Sequence, residues 1–339
     1  MIVFLLRRVL TMVGTLIVVS ALVFWIVNLP PGDILTSQIL ALQASGEGKN
    51  LETAEFLRKE YSLDQPMWMQ YLIWLGAAPG AHGFSGLIQG DLGWSFEFQQ
   101  PVAEVFEESM WLTVVVNFAA VLFIYLVSLP LGIIAATQAG RWPDYLVALV
   151  GYIGLATPNF LLALILLYYG QRYLDIPIGG LMDPDLEGQP WTWAKVKSVL
   201  AHLIVPTIVI GTAGTAAMIR RLRANLLDEL QKPYVTTAKA KGLGPTSGLV
   251  RYPLRAALNP FVADIGNLLP SLVSGSVLVS VVMSLPTLGP ILIDSLKTQD
   301  YFLSGAILMF VSVLTLLGML ISDILLAILD PRIRYGAKA

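Results

Sequence analysis

The sequence predicts an all-α integral membrane protein of about six transmembrane helices, and three observations predict it. Of the 339 residues, 56% are hydrophobic and 13% are charged, against about 25% charged in an ordinary soluble domain. Long apolar runs recur at lengths that suit a hydrocarbon core of roughly 30 Å, which takes about 20 residues of helix. Basic residues gather on alternate connections, as they do in segments that stay in the cytoplasm. There is no cysteine, so disulfides, thiolate nucleophiles and cysteine-bound metals are excluded. His82 and His202 are too separate to suggest a metal site, and His202 reads as a packed or interfacial residue near a span end.

Six runs qualify as spans: 9–29, 111–136, 145–170, 199–219, 261–285 and 303–329. The first follows Arg7 and Arg8, and Val19-Ser20-Ala21 resembles a cleavage site, but the apolar run continues to Leu29. That is longer than the core of a signal peptide, so the segment reads as a retained anchor. Pro130, Pro158 and Pro206 fall inside spans, where proline kinks a helix and neighbouring groups satisfy the freed carbonyls. The fourth span is the weakest, because Pro206, Gly211 and Gly214 interrupt it.

Arg220, Arg221, Arg223, Lys232, Lys239, Lys241, Arg251 and Arg255 crowd the single connection 220–260. By the positive-inside rule that loop is cytoplasmic, and an even span count leaves both termini there. The division expected is an N-terminal tail and first span (1–29), an extracytoplasmic cap (30–110), a transmembrane core (111–330) with a cytoplasmic loop (220–260), and a cytoplasmic tail (331–339). The cap is acidic and carries Trp68, Trp74 and Trp94. It reads as a small folded element with a helix near 51–60.

The inner loop opens with Arg220-Arg221-Leu222-Arg223, which extends the fourth span beyond the membrane. These arginines suit topology and contact with anionic lipid. Pro233 then sits where a first helical turn accepts it, and Gly242 where a helix stops. They frame a helix of about two turns, marginal by itself and in need of docking. Ala238 and Ala240 are small enough to let another surface approach.

Polar residues also occur within spans, where they face a bundle interior or water. Asp264, Asn267, Ser271 and Ser274 share one face of the fifth span, and Ser312, Thr315, Ser322 and Asp323 form a row in the sixth. Asn117 and Asn159 stand alone in the second and third. Two readings remain open for such groups: lining a translocation route, or hydrogen bonding helix to helix. Asp264 and Asp323 lie near the inner ends, which suits topology or an inner gate.

Several segments resemble one family. Tyr234-Val-Thr-Thr-Ala-Lys-Ala-Lys-Gly-Leu243 resembles the cytoplasmic loop of permeases in the dipeptide/oligopeptide group of ABC importers. So do Glu60-Tyr-Ser-Leu-Asp-Gln-Pro66 with Gln70-Tyr71, Gly90-Asp-Leu-Gly-Trp-Ser95 with Pro101-Val102, and Leu329-Asp-Pro-Arg-Ile-Arg-Tyr335. The long outer loop and the immediate first span are similar to the B-type subunit. The resemblance implies a type I ABC importer permease fold. It implies a heterodimer with a related permease subunit, two ATPase domains or subunits, and an extracytoplasmic solute-binding protein in the bacterial inner membrane. It also implies alternating access, with ATP and Mg on the partner chains and no cofactor in this one.

On that resemblance Tyr234, Val235, Thr237, Ala238, Ala240, Lys241, Gly242 and Leu243 form the ATPase-coupling site. Asn117, Asn159, Asn267, Ser271 and Ser274 are candidates for the translocation path, and Asp91 and Trp94 for contact with the binding protein. Di- and oligopeptides are the expected solutes, with oligosaccharides, opines or nickel as alternatives. Two departures stand out. The glutamate usual in the coupling loop is absent, and Ser280–Gly289 differs from the family's outer-gate segment. No nucleotide-binding loop is present: Gly46-Glu-Gly-Lys-Asn50 is only a fragment of one. The chain is therefore expected to be non-catalytic. A secondary carrier or channel is the alternative class, weakened because the intramembrane aspartates lie near span ends and no filter sequence is visible.

Overall fold

The computed structural model describes residues 2–30, 56, 59–60, 62, 64–81, 83–173, 179–186 and 188–329. The predicted helix near 51–60, the fragment Gly46–Asn50 and the C-terminal signature fall largely or wholly outside them. The described chain is almost entirely helical. Among the described residues, four helices are long and apolar enough to cross a membrane, and a bent pair adds a fifth.

The first span is α1 (Ile2–Val27). A short helix α2 (Met67–Leu75) follows in the cap. A two-stranded antiparallel ribbon, β1 (Trp94–Ser95) and β2 (Gln100–Pro101), leads into α3 (Val102–Thr137). The predicted third span is two helices, α4 (Trp142–Ala156) and α5 (Asn159–Tyr173), bent by 99°. Next come α6 (Trp193–Leu230), α7 (Pro233–Ala240), α8 (Pro245–Arg251) and α9 (Pro253–Ala263). The chain continues through α10 (Ile265–Val282), α11 (Leu288–Lys297) and α12 (Tyr301–Leu329). The predicted fifth span is thus α9 and α10 meeting at Asp264. The 18 residues of α10 cover about 27 Å.

Two expectations need correction. Pro158 does more than kink the third span. Thr157 adopts an extended backbone (φ −87°, ψ 118°), because a residue before proline is held out of the helical region. Its hydroxyl closes α4 by donating to the Ile153 carbonyl at 2.8 Å. Each arm has 15 residues, about 22 Å, too short to cross alone. The fourth span, expected to be weakest, is instead the longest helix, 38 residues with Pro206 inside it. Its glycines are packing surfaces: a Cβ on Gly211 would lie 2.6 Å from the Phe123 ring, and one on Gly214 would lie 2.6 Å from Ile124. Small residues let membrane helices approach closely, and α3 and α6 use them in that way.

By contacts the chain forms two compact units. The first comprises residues 1–9, 112–289 and 314–339, and the second 10–111 and 290–313. In the first, α6 is the central element. Its Val209, Met218, Leu222 and Leu226 are buried with Ala120 and Ile124 of α3, Ala257 and Phe261 of α9, Val279 of α10 and Met283 just after it. Tyr125 packs edge-on against Phe261 at 4.8 Å and donates to its carbonyl at 3.0 Å. At the α9–α10 junction, Ser322 donates to the carbonyls of Val262 (3.3 Å) and Ala263 (2.9 Å).

In the second unit, Tyr71 and Trp74 of α2 pack on Phe24 of α1 with ring centroids 5.6 and 5.5 Å away. Asp300, fully buried, accepts from the Ser95 hydroxyl at 2.7 Å and from the Glu97 and Leu303 N–H groups at 3.2 Å each. Gly93 lies over the Phe302 ring with φ +83°, and a Cβ there would come within 2.5 Å of it.

Candidate coupling site at the basic loop

The loop between α6 and α9 presents a short helix with two distinct faces. Pro233 begins α7, where its missing N–H costs nothing. Gly242 ends it with φ +77°. Gly242 N–H donates to Lys239 C=O at 3.0 Å, and Leu243 N–H donates to Ala238 C=O at 3.3 Å. That bond pair is a Schellman stop, which calls for a left-handed residue where glycine is strongly preferred.

The eight residues assigned to this site divide between the faces. Val235 and Ala238, three apart, are buried in the chain's own core at 5% and 8% exposure. Tyr234, Thr237, Ala240, Lys241 and Gly242 are exposed, and Leu243 is half-buried. Helical spacing puts Tyr234, Thr237 and Lys241 on one outward stripe. So Ala238 anchors the helix to its own subunit, while Ala240 offers the small outward surface. The Tyr234 hydroxyl donates to the Glu229 carboxylate at the end of α6. Burial first, then that hydrogen bond and the carboxylate's charge, push the Tyr234 phenol up to about 12, so it remains a donor at any physiological pH.

Behind this loop, three arginine–aspartate pairs join helices of the first unit. Arg223 of α6 grips Asp144 of α4 with two bonds, Nε to Oδ1 at 2.6 Å and Nη2 to Oδ2 at 2.8 Å. Gly140 N–H adds a third bond to that carboxylate at 2.9 Å. Arg221 of α6 pairs with Asp264 at the α9–α10 junction. Arg8 of α1 pairs with Asp323 of α12 at 3.1 Å. Sequence alone suits Arg221 and Arg223 to topology and lipid contact; the structure gives them aspartate partners instead. They lie 43 and 79 residues away, and no local spacing announces them. The available signal was an aspartate near one end of each of three spans.

The other assigned residues are scattered. Asn117 is buried at 3% exposure and donates to Thr113 C=O at 2.8 Å, while its Oδ1 has no partner. Asn159 begins α5 half-buried. Asn267, Ser271 and Ser274 belong to α10, but their side chains lie outside the described residues. Asp91 is exposed, accepting from the Ser85 hydroxyl and from Gly93 N–H at 2.9 Å, and Trp94 is half-buried in β1. His202, buried, bonds the Ser198 carbonyl through Nδ1 at 2.8 Å. Among the described residues no three His, Cys, Asp or Glu side chains converge as a metal site would.

Residues 128–335 match the family described as binding-protein-dependent transport system inner membrane component, and residues 1–117 match that family's N-terminal domain. The oligopeptide transport system permease protein AppB of Bacillus subtilis is 33% identical over 334 residues, covering 98% of this chain and 99% of its own. The glutathione transport system permease protein GsiC of Escherichia coli K12 is 32% identical over 336 residues with the same coverage. Apolar spans, a framed loop helix and end-to-end similarity agree: this chain belongs to the binding-protein-dependent transport system inner membrane components, the permeases of ABC importers, and is a multi-pass membrane protein.

Proposed function

We propose that the chain is one of two related permease subunits of an ATP-driven, binding-protein-dependent importer, and that its solutes are di- or oligopeptides. The observation that carries this reading is the end-to-end similarity to two permeases named for oligopeptide and glutathione transport. Two ATPase domains or subunits hold ATP and Mg and perform the hydrolysis. An extracytoplasmic binding protein delivers the solute and meets the cap 30–110 near Asp91 and Trp94. The core 111–330 forms half of the route, with Asn117, Asn159, Asn267, Ser271 and Ser274 along it. Both termini, including the tail 331–339, are cytoplasmic.

The geometry of the loop supports the mechanism. The outer stripe of α7, Tyr234, Thr237 and Lys241, meets an ATPase subunit. The inner residues, Val235 and Ala238, tie α7 to the permease. When the ATPases close on ATP, α7 is displaced, and Glu229–Tyr234 carries the motion to α6. Through Asp144 and Asp264 it reaches α4 and the α9–α10 junction together. A rigid α6 thus distributes one push among several spans, as alternating access requires.

The test is uptake of labelled peptides into liposomes holding the assembled transporter. The expected result is uptake that needs both ATP and the binding protein. ATP hydrolysis stimulated by loaded binding protein without peptide uptake would reject peptides and leave oligosaccharides, opines and nickel to be tried. Uptake driven by an ion gradient alone would reject the importer.

A further inference from the structure

We propose that the groove between α4 and α6 holds one anionic phospholipid, with its phosphate on Arg220 and an acyl chain along the helices. Two adjoining cavities, each of about 270 Å³, share Val147, Gly151, Ala216 and Ile219 as walls. They adjoin one another along α4 and α6, and on this proposal they act as one slot. The first cavity carries Asp144, Tyr145, Tyr152, Arg220 and Arg223 at its mouth. The second has no ionisable side chain, and Phe123, Val127, Leu131, Leu146 and Val150 are among its walls. All of these residues belong to the first compact unit.

The charge at the mouth selects the occupant. Arg223 is committed to Asp144 through two hydrogen bonds, so those two charges cancel. Arg220 is exposed and makes no hydrogen bond or ion pair among the described residues. One positive charge is left facing the slot, flanked by the exposed rings of Tyr145 and Tyr152, which are 67% and 60% exposed. Tyrosine favours the membrane interface, where its ring is apolar and its hydroxyl wet. From Arg220 down to Thr212 the slot follows eight residues of α6, about 12 Å. One cation above a mainly apolar channel, whose polar side chains are Thr212, bonded to its own helix, and Thr215, matches a phosphate joined to a hydrocarbon chain. The inference does not depend on which solute is carried.

The experiment uses the assembled transporter, stripped of lipid in detergent and titrated with dioleoyl-phosphatidylglycerol while native mass spectrometry counts bound lipid. The wild type is expected to bind one such lipid in preference to dioleoyl-phosphatidylcholine, and inorganic phosphate at equal concentration does not displace it. Arg220→Gln should weaken that binding about tenfold, the loss of one charge-assisted bond. Gly151→Leu should weaken it independently by filling the slot, because a Cβ at Gly151 meets nothing within 4 Å and the longer side chain enters open space first. Equal binding by the wild type and both variants would overturn the proposal. So would indifference to headgroup, displacement by inorganic phosphate, or a photo-crosslinker at position 151 that captures the partner permease instead of lipid.

Discussion

One buried aspartate of the second unit and three aspartates of the first are held in opposite ways. In the second unit Asp300 is fully buried and satisfied by neutral donors, the Ser95 hydroxyl and two backbone N–H groups. In the first unit Asp144, Asp264 and Asp323 each face an arginine from another helix. Neutral donors from the β-ribbon and from the start of α12 close on Asp300 together and fix the local backbone. Arginine pairs join separate helices through long side chains that can follow a moving partner. On the proposed mechanism, the Asp300 network holds the cap still and the arginine pairs transmit displacement between spans.

The sharpest way to break this contrast is Arg223→Ala. Its Asp144 partner has a side chain only 5% exposed, and an abandoned buried carboxylate should cost about 3 kcal/mol. Thermal unfolding of the purified transporter should show it, and ATP-coupled uptake should fall with it. If stability is unchanged, Asp144 is solvated and the pair is not a staple. Gly93→Ala probes the rigid unit. A Cβ would strike Phe302 and would force alanine to φ +83°, so a loss of about 2 kcal/mol is expected. The same assay reads it, and a neutral result would mean the cap shifts freely.

Smaller effects separate transmission from folding. Gly242→Asp should cost only about 1 kcal/mol, since aspartate tolerates the left-handed region better than most residues, and its Cβ meets nothing within 4 Å. Uptake should nevertheless drop well beyond that loss, because bulk and charge enter the outward surface. Normal coupled uptake in this variant would remove α7 from the docking surface. Arg8→Gln should have the least effect, under about 1 kcal/mol, because Arg8 and Asp323 have side chains 50% and 22% exposed. A loss as large as that of Arg223→Ala would erase the distinction drawn between buried and exposed pairs.

Much of this was legible in sequence for physical reasons. Apolar runs declare spans because lipid leaves the backbone few alternatives to a helix. Pro233 and Gly242 declared α7 because both act through local backbone geometry. Features set by distant partners were not legible. Pro158 and Pro206 look alike in sequence, yet one follows an extended residue and breaks a span while the other lies within an uninterrupted helix packed against α3. Gly211 and Gly214 read as interruptions until Phe123 and Ile124 were found against them. The Arg–Asp pairs and the inward turn of Val235 and Ala238 depend equally on tertiary contacts.

The central claim is that α7 turns its outer stripe to an ATPase subunit while its inner face stays with the permease. The chain has no cysteine, so single cysteines can be placed without background. Thr237→Cys, Lys241→Cys and, as the inner control, Ala238→Cys would each be treated with a short bifunctional crosslinker in the assembled transporter. Crosslinks to the ATPase subunit from positions 237 and 241 and none from 238 are expected. Crosslinking from 238 alone, or from none of the three while uptake remains coupled, would contradict the claim.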